Sequence, residues 1–163
     1  MGVVALTIRP AERGDIHLLA DFALAMAWET EHKRLDRATV ERGVAAVLAQ
    51  PQRGVYRVAE RDGKVVGALM ITYEWSDWRC ADWWWIQSVY ITPEARRSGV
   101  FKALYRSVQQ EALQRSDVCG IRLYVERDNH RAQATYAAIG MQDAAYRVME
   151  ETMPWVAELI KKE

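Results

Sequence analysis

Apolar and polar positions along this chain recur with two different periods, and the changes of period mark the elements. Val3 to Arg9 is rich in β-branched residues and stops at Pro10, which predicts a first strand. From Glu12 to Glu31 the residues Ile16, Leu19, Ala20, Ala23, Leu24 and Ala27 fall at helical spacing. Glu12 and Asp15 sit at the end of that helix where its dipole favours negative charge. Val40, Val44, Val47 and Leu48 form a second helical stripe from Thr39 to Gln50. Asp36 or Thr39 is placed to cap it, and Pro51 stops it.

The middle of the chain changes to a β pattern. Val55 to Glu60 and Lys64 to Tyr73 are joined by Arg61-Asp62-Gly63, and Asp-Gly between two such runs is a hairpin signal. Glu74 to Trp78 reads as a loop or as the extended end of that hairpin. Asp82 to Thr92 is apolar on both faces, the pattern of a strand in the centre of a sheet. Gly99 to Gln114 is a helix with Phe101, Leu104, Val108 and Ala112 in one stripe. Ile121 to Glu126 is a strand, and Asn129 to Ile139 is a short helix closed by Gly140. Gln142 to Thr152 predicts a last strand, and Val156 to Lys162 a short helix or a frayed tail. Strands alternating with helices in the second half imply a parallel crossover in a mixed sheet, an α/β fold in one domain spanning residues 1–163.

Composition narrows the function classes. The chain has 163 residues, half of them apolar, enough for one sizeable core. Lys plus Arg and Asp plus Glu number 22 each, so no global charge draws it to nucleic acid, and any phosphate site must be local. No apolar run is long enough for a membrane span, and the N-terminus does not read as a signal peptide. Cys80 and Cys119 lack metal-ligand or disulfide-framework spacing, as do His17, His32 and His130, so a cytoplasmic protein with reduced thiols and no metal is expected. Seven tryptophans are many for this length, and five lie between Trp75 and Trp85.

The chemistry concentrates between Val89 and Leu104. A buried strand ends, a basic loop with one glycine follows, and an amphipathic helix begins. The first turn of a helix leaves N–H groups unpaired, and the positive end of the dipole adds to their field. Arg96 and Arg97 add mobile charge, and Gly99 permits close backbone approach. A pyrophosphate fits such a site. Neither GxxxxGK[ST] nor GxGxxG occurs, so nucleoside triphosphatase and dinucleotide readings lack support.

The string RRSGVF after SVYITPEA resembles the coenzyme A pyrophosphate loop of the GNAT acetyltransferase superfamily, (Gln/Arg)-x-x-Gly-x-(Gly/Ala), with Arg96 and Gly99 in register and Phe101 in place of the small residue. Asn129 to Met141 resembles that family's Asn-x-x-Ala-x-x-x-Tyr-x-x-x-Gly segment through Asn129, Ala132, Tyr136 and Gly140. The resemblance implies a GNAT-like fold whose two splayed parallel strands, Trp84 to Thr92 and Ile121 to Glu126, admit the pantetheine arm of acetyl-CoA. It implies that the backbone of Val89, Tyr90 and Ile91 pairs with that arm. Arg96, Arg97, Ser98, Gly99, Val100, Phe101 and Lys102 then hold the pyrophosphate, and Asn129 the pantetheine side. Tyr136 lies near the sulfur as general acid. An N–H near Val89 stabilises charge growing on the thioester oxygen.

The resemblance implies an amine acceptor. Some members of the family use a carboxylate base on the central strand, where this chain has Gln87. That leaves Glu29, Glu31, Glu74, Asp77, Asp82 or a water relay. Trp28, Glu29, Glu74, Trp75 and Trp85 are candidate acceptor contacts, because aromatic faces beside carboxylates suit a cationic amine. The bulk of the tryptophans points to a small acceptor. A homodimer through the Trp-rich strand, a CoA-binding sensor without turnover and an interaction module are the alternatives.

Overall fold

The computed structural model describes residues 5–162. A mixed sheet of five strands forms its centre, in the order β1-β3-β4-β5-β6. These are β1 (Thr7–Pro10), β3 (Val55–Arg61), β4 (Lys64–Ser76), β5 (Ala81–Ile91) and β6 (Val118–Leu123). All neighbours are antiparallel except β5 and β6, which are parallel and joined through α3 (Val100–Leu113). The β3–β4 turn places Asp62 and Gly63 at φ 54° and 71°, the left-handed pair that a two-residue hairpin requires. The expected first strand begins only at Thr7, and Val3 and Val4 lie outside the described residues.

Period-two alternation sorts the core into two layers. Ala68 and Tyr90 face α1 (Ile16–Glu31) and α2 (Arg37–Ala49), where they pack with Leu19, Phe22 and Val44. Leu69, Ile71, Trp84 and Ile86 face α3 and bury Leu104, Tyr105 and Val108. Trp84 is thus plain core, while Trp83 and Trp85 point to the opposite face, as alternation demands. Asp36 caps α2 by accepting from the Thr39 amide at 2.9 Å. Arg9 ties β1 to the start of α1 through both oxygens of the buried Asp15, at 2.8 and 3.1 Å. Among the described residues no helix is long and apolar enough to cross a membrane.

Three expectations need correction. The strand predicted at Ile121 to Glu126 starts earlier and ends at Leu123, because the chain leaves the sheet there. Glu74 to Ser76, by contrast, take the second of their two expected forms and continue β4, so the hairpin with β5 extends to a turn at 77–80. Gln142 to Thr152 forms no strand at all: every residue of that run is exposed, and the outer edge of β6 carries no strand partner among the described residues. A strand needs a ladder as well as a pattern. Here the chain end is drawn elsewhere, since a 3₁₀ turn (Pro154–Glu158) leads into β7 (Ile160–Lys162), which pairs antiparallel with β2 (Lys33–Leu35). The expected terminal helix or frayed tail is therefore that turn and a short strand.

Candidate functional site

The site begins with a break in the central sheet. β5 and β6 pair from Asp82 opposite Val118 to Ile86 opposite Leu123, and there the pairing stops. β5 runs on to Ile91 with β4 on one side and no strand on the other. At the same place β5 carries one extra residue against β4: Met70 pairs with Gln87 and Ala68 with Tyr90. Ser88, inside this bulge, has φ 51°. A bulge bends its strand and re-aims the groups beyond it. The result is an edge from Gln87 to Ile91, including the predicted Val89, Tyr90 and Ile91, that has no strand beside it on the β6 side among the described residues once β6 ends at Leu123.

The basic loop follows directly at the end of this edge. After the 3₁₀ turn at Pro93–Ala95, Arg97 and Gly99 both take left-handed conformations, at φ 61° and 82°. Such turns let successive N–H groups converge on an anion. Gly99 is the N-cap of α3 and supplies no side-chain cap, so the first-turn amides keep their donors for an outside acceptor. A Cβ at Gly99 would meet nothing within 4 Å, which shows that the glycine is required by its φ and that the space before it is open. Arg97 and Lys102 are exposed and make no hydrogen bond or ion pair among the described residues. Ser98 is anchored inward, with Oγ donating to the Ala95 carbonyl at 2.5 Å. At the root of the loop Thr92 Oγ1 is buried without a hydrogen-bond partner. Open donors, two unpaired cations and a glycine in the left-handed region fit a diphosphate.

Arg96 does something the sequence did not signal. Its Nε donates to the Ile91 carbonyl at 3.0 Å, its Nη2 to Glu29 at 2.6 Å, and its guanidinium lies 5.5 Å from the Tyr90 ring centroid. Tyr90 Oη donates to the other Glu29 oxygen at 2.8 Å. Arg96 and then Tyr90 hold the Glu29 carboxyl below the usual carboxylate range, while burial and Glu29 push the Tyr90 phenol up. Glu29, near the end of α1, is thereby an ionised acceptor with both oxygens engaged.

Asn129 caps α4 (His130–Ala138), accepting from the Ala132 amide at 3.0 Å, and its side-chain nitrogen stays free. Tyr136, on α4, packs edge-on against Phe101 at 5.6 Å between centroids, and Phe101 in turn lies 6.2 Å from Tyr105. Phe101, the departure from the small residue of the loop pattern, is therefore the surface that seats Tyr136. Burial pushes the Tyr136 phenol up, so it holds its proton firmly at neutral pH.

The face of β5 opposite α3 carries the remaining candidates. Trp85 stacks on Tyr124 at 4.5 Å, and its Nε1 donates to Glu74 at 3.2 Å. Arg122 donates to the second Glu74 oxygen at 2.7 Å and lies 3.8 Å above the Trp83 ring. The chain's own arginine thus occupies the aromatic wall and its carboxylate. Gln87 donates to Thr72 Oγ1 at 2.5 Å. Trp28 sits at the end of α1 under Arg34, 4.9 Å from its ring. Trp75 lies farther off, exposed near the β4–β5 turn with Trp78. The structure therefore gathers Glu29 with Tyr90 and Arg96, and Glu74 with Trp85, and leaves Trp75 apart. Sequence reasoning missed Tyr124 and Arg122, because nothing in their local pattern signals the partners they meet on the neighbouring strands β4 and β5.

An unpartnered strand edge thus lies beside an uncapped helix N-terminus, and by sequence the Acetyltransferase (GNAT) family model matches residues 8–141. The chain belongs to the GNAT acetyltransferase family. No curated protein matches it. Among solved structures it is similar to a possible acetyltransferase from Clostridium difficile 630, at 39% identity and TM-score 0.86, over 91% of this chain and 97% of that one. A predicted acetyltransferase with acetyl-CoA from Clostridium acetobutylicum shares the fold at 17% identity and TM-score 0.72, over 90% and 96%. So does an aminoglycoside N-acetyltransferase in complex with CoA, at 15% identity and TM-score 0.73, over 93% and 97%. GNAT acetyltransferases use acetyl-CoA, and membership implies acyl transfer from it.

Proposed function

We propose that this chain is a single-domain N-acetyltransferase that moves an acetyl group from acetyl-CoA to the primary amine of a small molecule. The observation that carries the reading is the bulged, unpartnered edge of β5 beside the uncapped start of α3. Acetyl-CoA supplies the activated acetyl group. The amides from Arg96 to Lys102, with the Arg97 and Lys102 side chains, hold its diphosphate. The open edge at Val89 to Ile91 receives its amide-bearing arm as a further strand, with an N–H near Val89 available to the thioester oxygen. The free side-chain nitrogen of Asn129 faces the same cleft role, and Tyr136 Oη donates a proton to the departing sulfur.

Trp85, Tyr124 and the end of α1 wall the acceptor side, which favours a small amine over a protein segment. Glu29 and Glu74 are each held by an arginine and Gln87 cannot take a proton, which leaves Glu31, Asp77, Asp82 or a water relay to take the proton from the amine. The same observation supports a second reading, a sensor that binds acyl-CoA without turnover.

One pair of measurements tests both. Acetyl-CoA binding is followed by calorimetry, and thiol release is followed with a panel of small amines. The transferase reading expects binding and amine-dependent release. It expects Tyr136→Phe to lower turnover roughly 100-fold with little change in acetyl-CoA affinity, because the hydroxyl acts mainly in the transition state. Binding without release on any amine supports the sensor, and an unchanged rate in Tyr136→Phe removes the tyrosine from the acid role.

A further inference from the structure

The sheet face turned toward α1 carries a row of polar and aromatic side chains. Thr72 and Glu74 of β4 lie on it beside Trp85 and Gln87 of β5, and Tyr90 rejoins the same face beyond the bulge. Trp85 and Tyr90 each donate to a carboxylate, Trp85 to Glu74 at 3.2 Å and Tyr90 to Glu29 at 2.8 Å. Gln87 stands between these two pairs. It is also the first residue of β5 past the β6 ladder, whose last pair is Ile86 with Leu123.

The charges on either side of Gln87 are already matched. Arg96 donates to the second oxygen of Glu29 at 2.6 Å, and Arg122 to the second oxygen of Glu74 at 2.7 Å. The aromatic faces hold cations too, with Arg122 over Trp83 at 3.8 Å and Arg34 over Trp28 at 4.9 Å. An incoming ammonium group must displace an arginine to reach either carboxylate. A second positive charge on the same molecule meets only repulsion from those arginines.

Gln87 differs from its neighbours. Its Nε2 donates to Thr72 Oγ1 at 2.5 Å, and because the carboxamide is planar this turns Oε1 to the other side. Oε1 makes no hydrogen bond among the described residues, and it is not one of their enclosed orphan atoms, so it meets solvent. The row thus presents one oriented, uncharged acceptor. An amine that donates an N–H to a carbonyl keeps its lone pair for attack. A carboxylate in the same place would favour the ammonium form, which has no lone pair.

We propose that Gln87 is a specificity-determining residue whose side-chain oxygen receives the acceptor nitrogen, and that the acceptor is a primary monoamine with an apolar body rather than a polycation. The proposal rests on the transferase reading above and adds which amines that site takes. Trp85 stacked on Tyr124, next along the row, gives the apolar body its surface. Thr72 holds the carboxamide in the receiving orientation.

The test compares phenethylamine with spermidine as acceptors for the full chain, by acetyl-CoA-dependent thiol release. The wild type is expected to favour phenethylamine in kcat/KM by about tenfold or more. Gln87→Ala is expected to raise the KM for phenethylamine about tenfold and leave acetyl-CoA affinity by calorimetry unchanged. Thr72→Val, which frees the carboxamide to turn, is expected to raise that KM in the same direction. Gln87→Glu adds a carboxylate that no arginine holds, and is expected to shift the preference toward spermidine by about tenfold or more. A wild type that prefers spermidine, an unchanged phenethylamine KM in Gln87→Ala, or an unshifted preference in Gln87→Glu would overturn the proposal while leaving the transferase reading in place. Acetyl-CoA binding without thiol release on any amine would overturn that reading and this proposal with it. If Gln87→Ala fails to fold, the wild-type preference and Gln87→Glu decide.

Discussion

Two glycines of this chain present equal space and opposite backbones, and replacing each by alanine separates strain from crowding. Gly43 lies inside α2, and a Cβ there meets nothing within 4 Å. Gly99 caps α3, and a Cβ there also meets nothing within 4 Å, but its φ is 82°. Gly43→Ala should gain about 0.8 kcal/mol, because alanine is the better helix former and restricts the unfolded chain. At Gly99 an L side chain in the left-handed region costs about 1–2 kcal/mol, and the unfolded-state gain offsets roughly half a kilocalorie of that. Gly99→Ala should therefore lose about 1 kcal/mol, which in a chain of this size lowers the melting midpoint by about 2–4 °C. Urea denaturation of the two variants, with slopes checked for equality, reads both numbers. Shifts of the same sign would refute the strain argument. So would a loss beyond about 3 kcal/mol in Gly99→Ala, since no protein atom stands where the methyl goes.

Gly67 makes the contrasting case. A Cβ there would sit 2.7 Å from Ile91 Cδ1, 3.0 Å from Val100 Cγ1 and 3.2 Å from the Tyr90 carbonyl oxygen. Gly67→Ala should cost about 1–3 kcal/mol and weaken acetyl-CoA binding measured by calorimetry, because it pushes apart the end of β5 and the start of α3. Asp15 supplies a pH dependence. Hydrogen bonds from Arg9, and secondarily the Glu12 amide, outweigh its burial and hold its carboxyl below the ordinary aspartate range. A depressed folded pKa gives stability that is fully present above the ordinary value and is lost as pH falls through the depressed one. Asp15→Asn should cost about 2 kcal/mol at neutral pH, and its unfolding free energy should vary less than the wild type's between roughly pH 5 and 2.

The elements legible in the sequence are those set by neighbours along the chain. Asp62-Gly63 announces its hairpin, Asp36 its helix start, and the run through Trp84 and Ile86 its place between two layers. The loop around Gly99 was legible because a helix start after a buried strand is a local event. What escaped depends on distant partners. Nothing near Ser88 signals the bulge, which exists because β4 and β5 differ by one residue in register. Arg96 looked like a free cation, but the Glu29 that captures it lies 67 positions away. The alternation from Gln142 to Thr152 is a strand pattern that pairs with no strand among the described residues, and β2 and β7 are too short to show any pattern.

The bonds joining Arg96, Glu29 and Tyr90 place the loop and the last turn of α1 in one balance. Under the proposed function, a diphosphate that drew the guanidinium toward itself would leave Glu29 with the tyrosine hydroxyl alone, and so re-poise a carboxylate on the proposed acceptor side. The influence runs equally in reverse, because linkage between two binding events is symmetric. On the same proposal an amine that recruited Glu29 would free Arg96 for the anion, so each substrate would tighten the grip on the other through one ion pair.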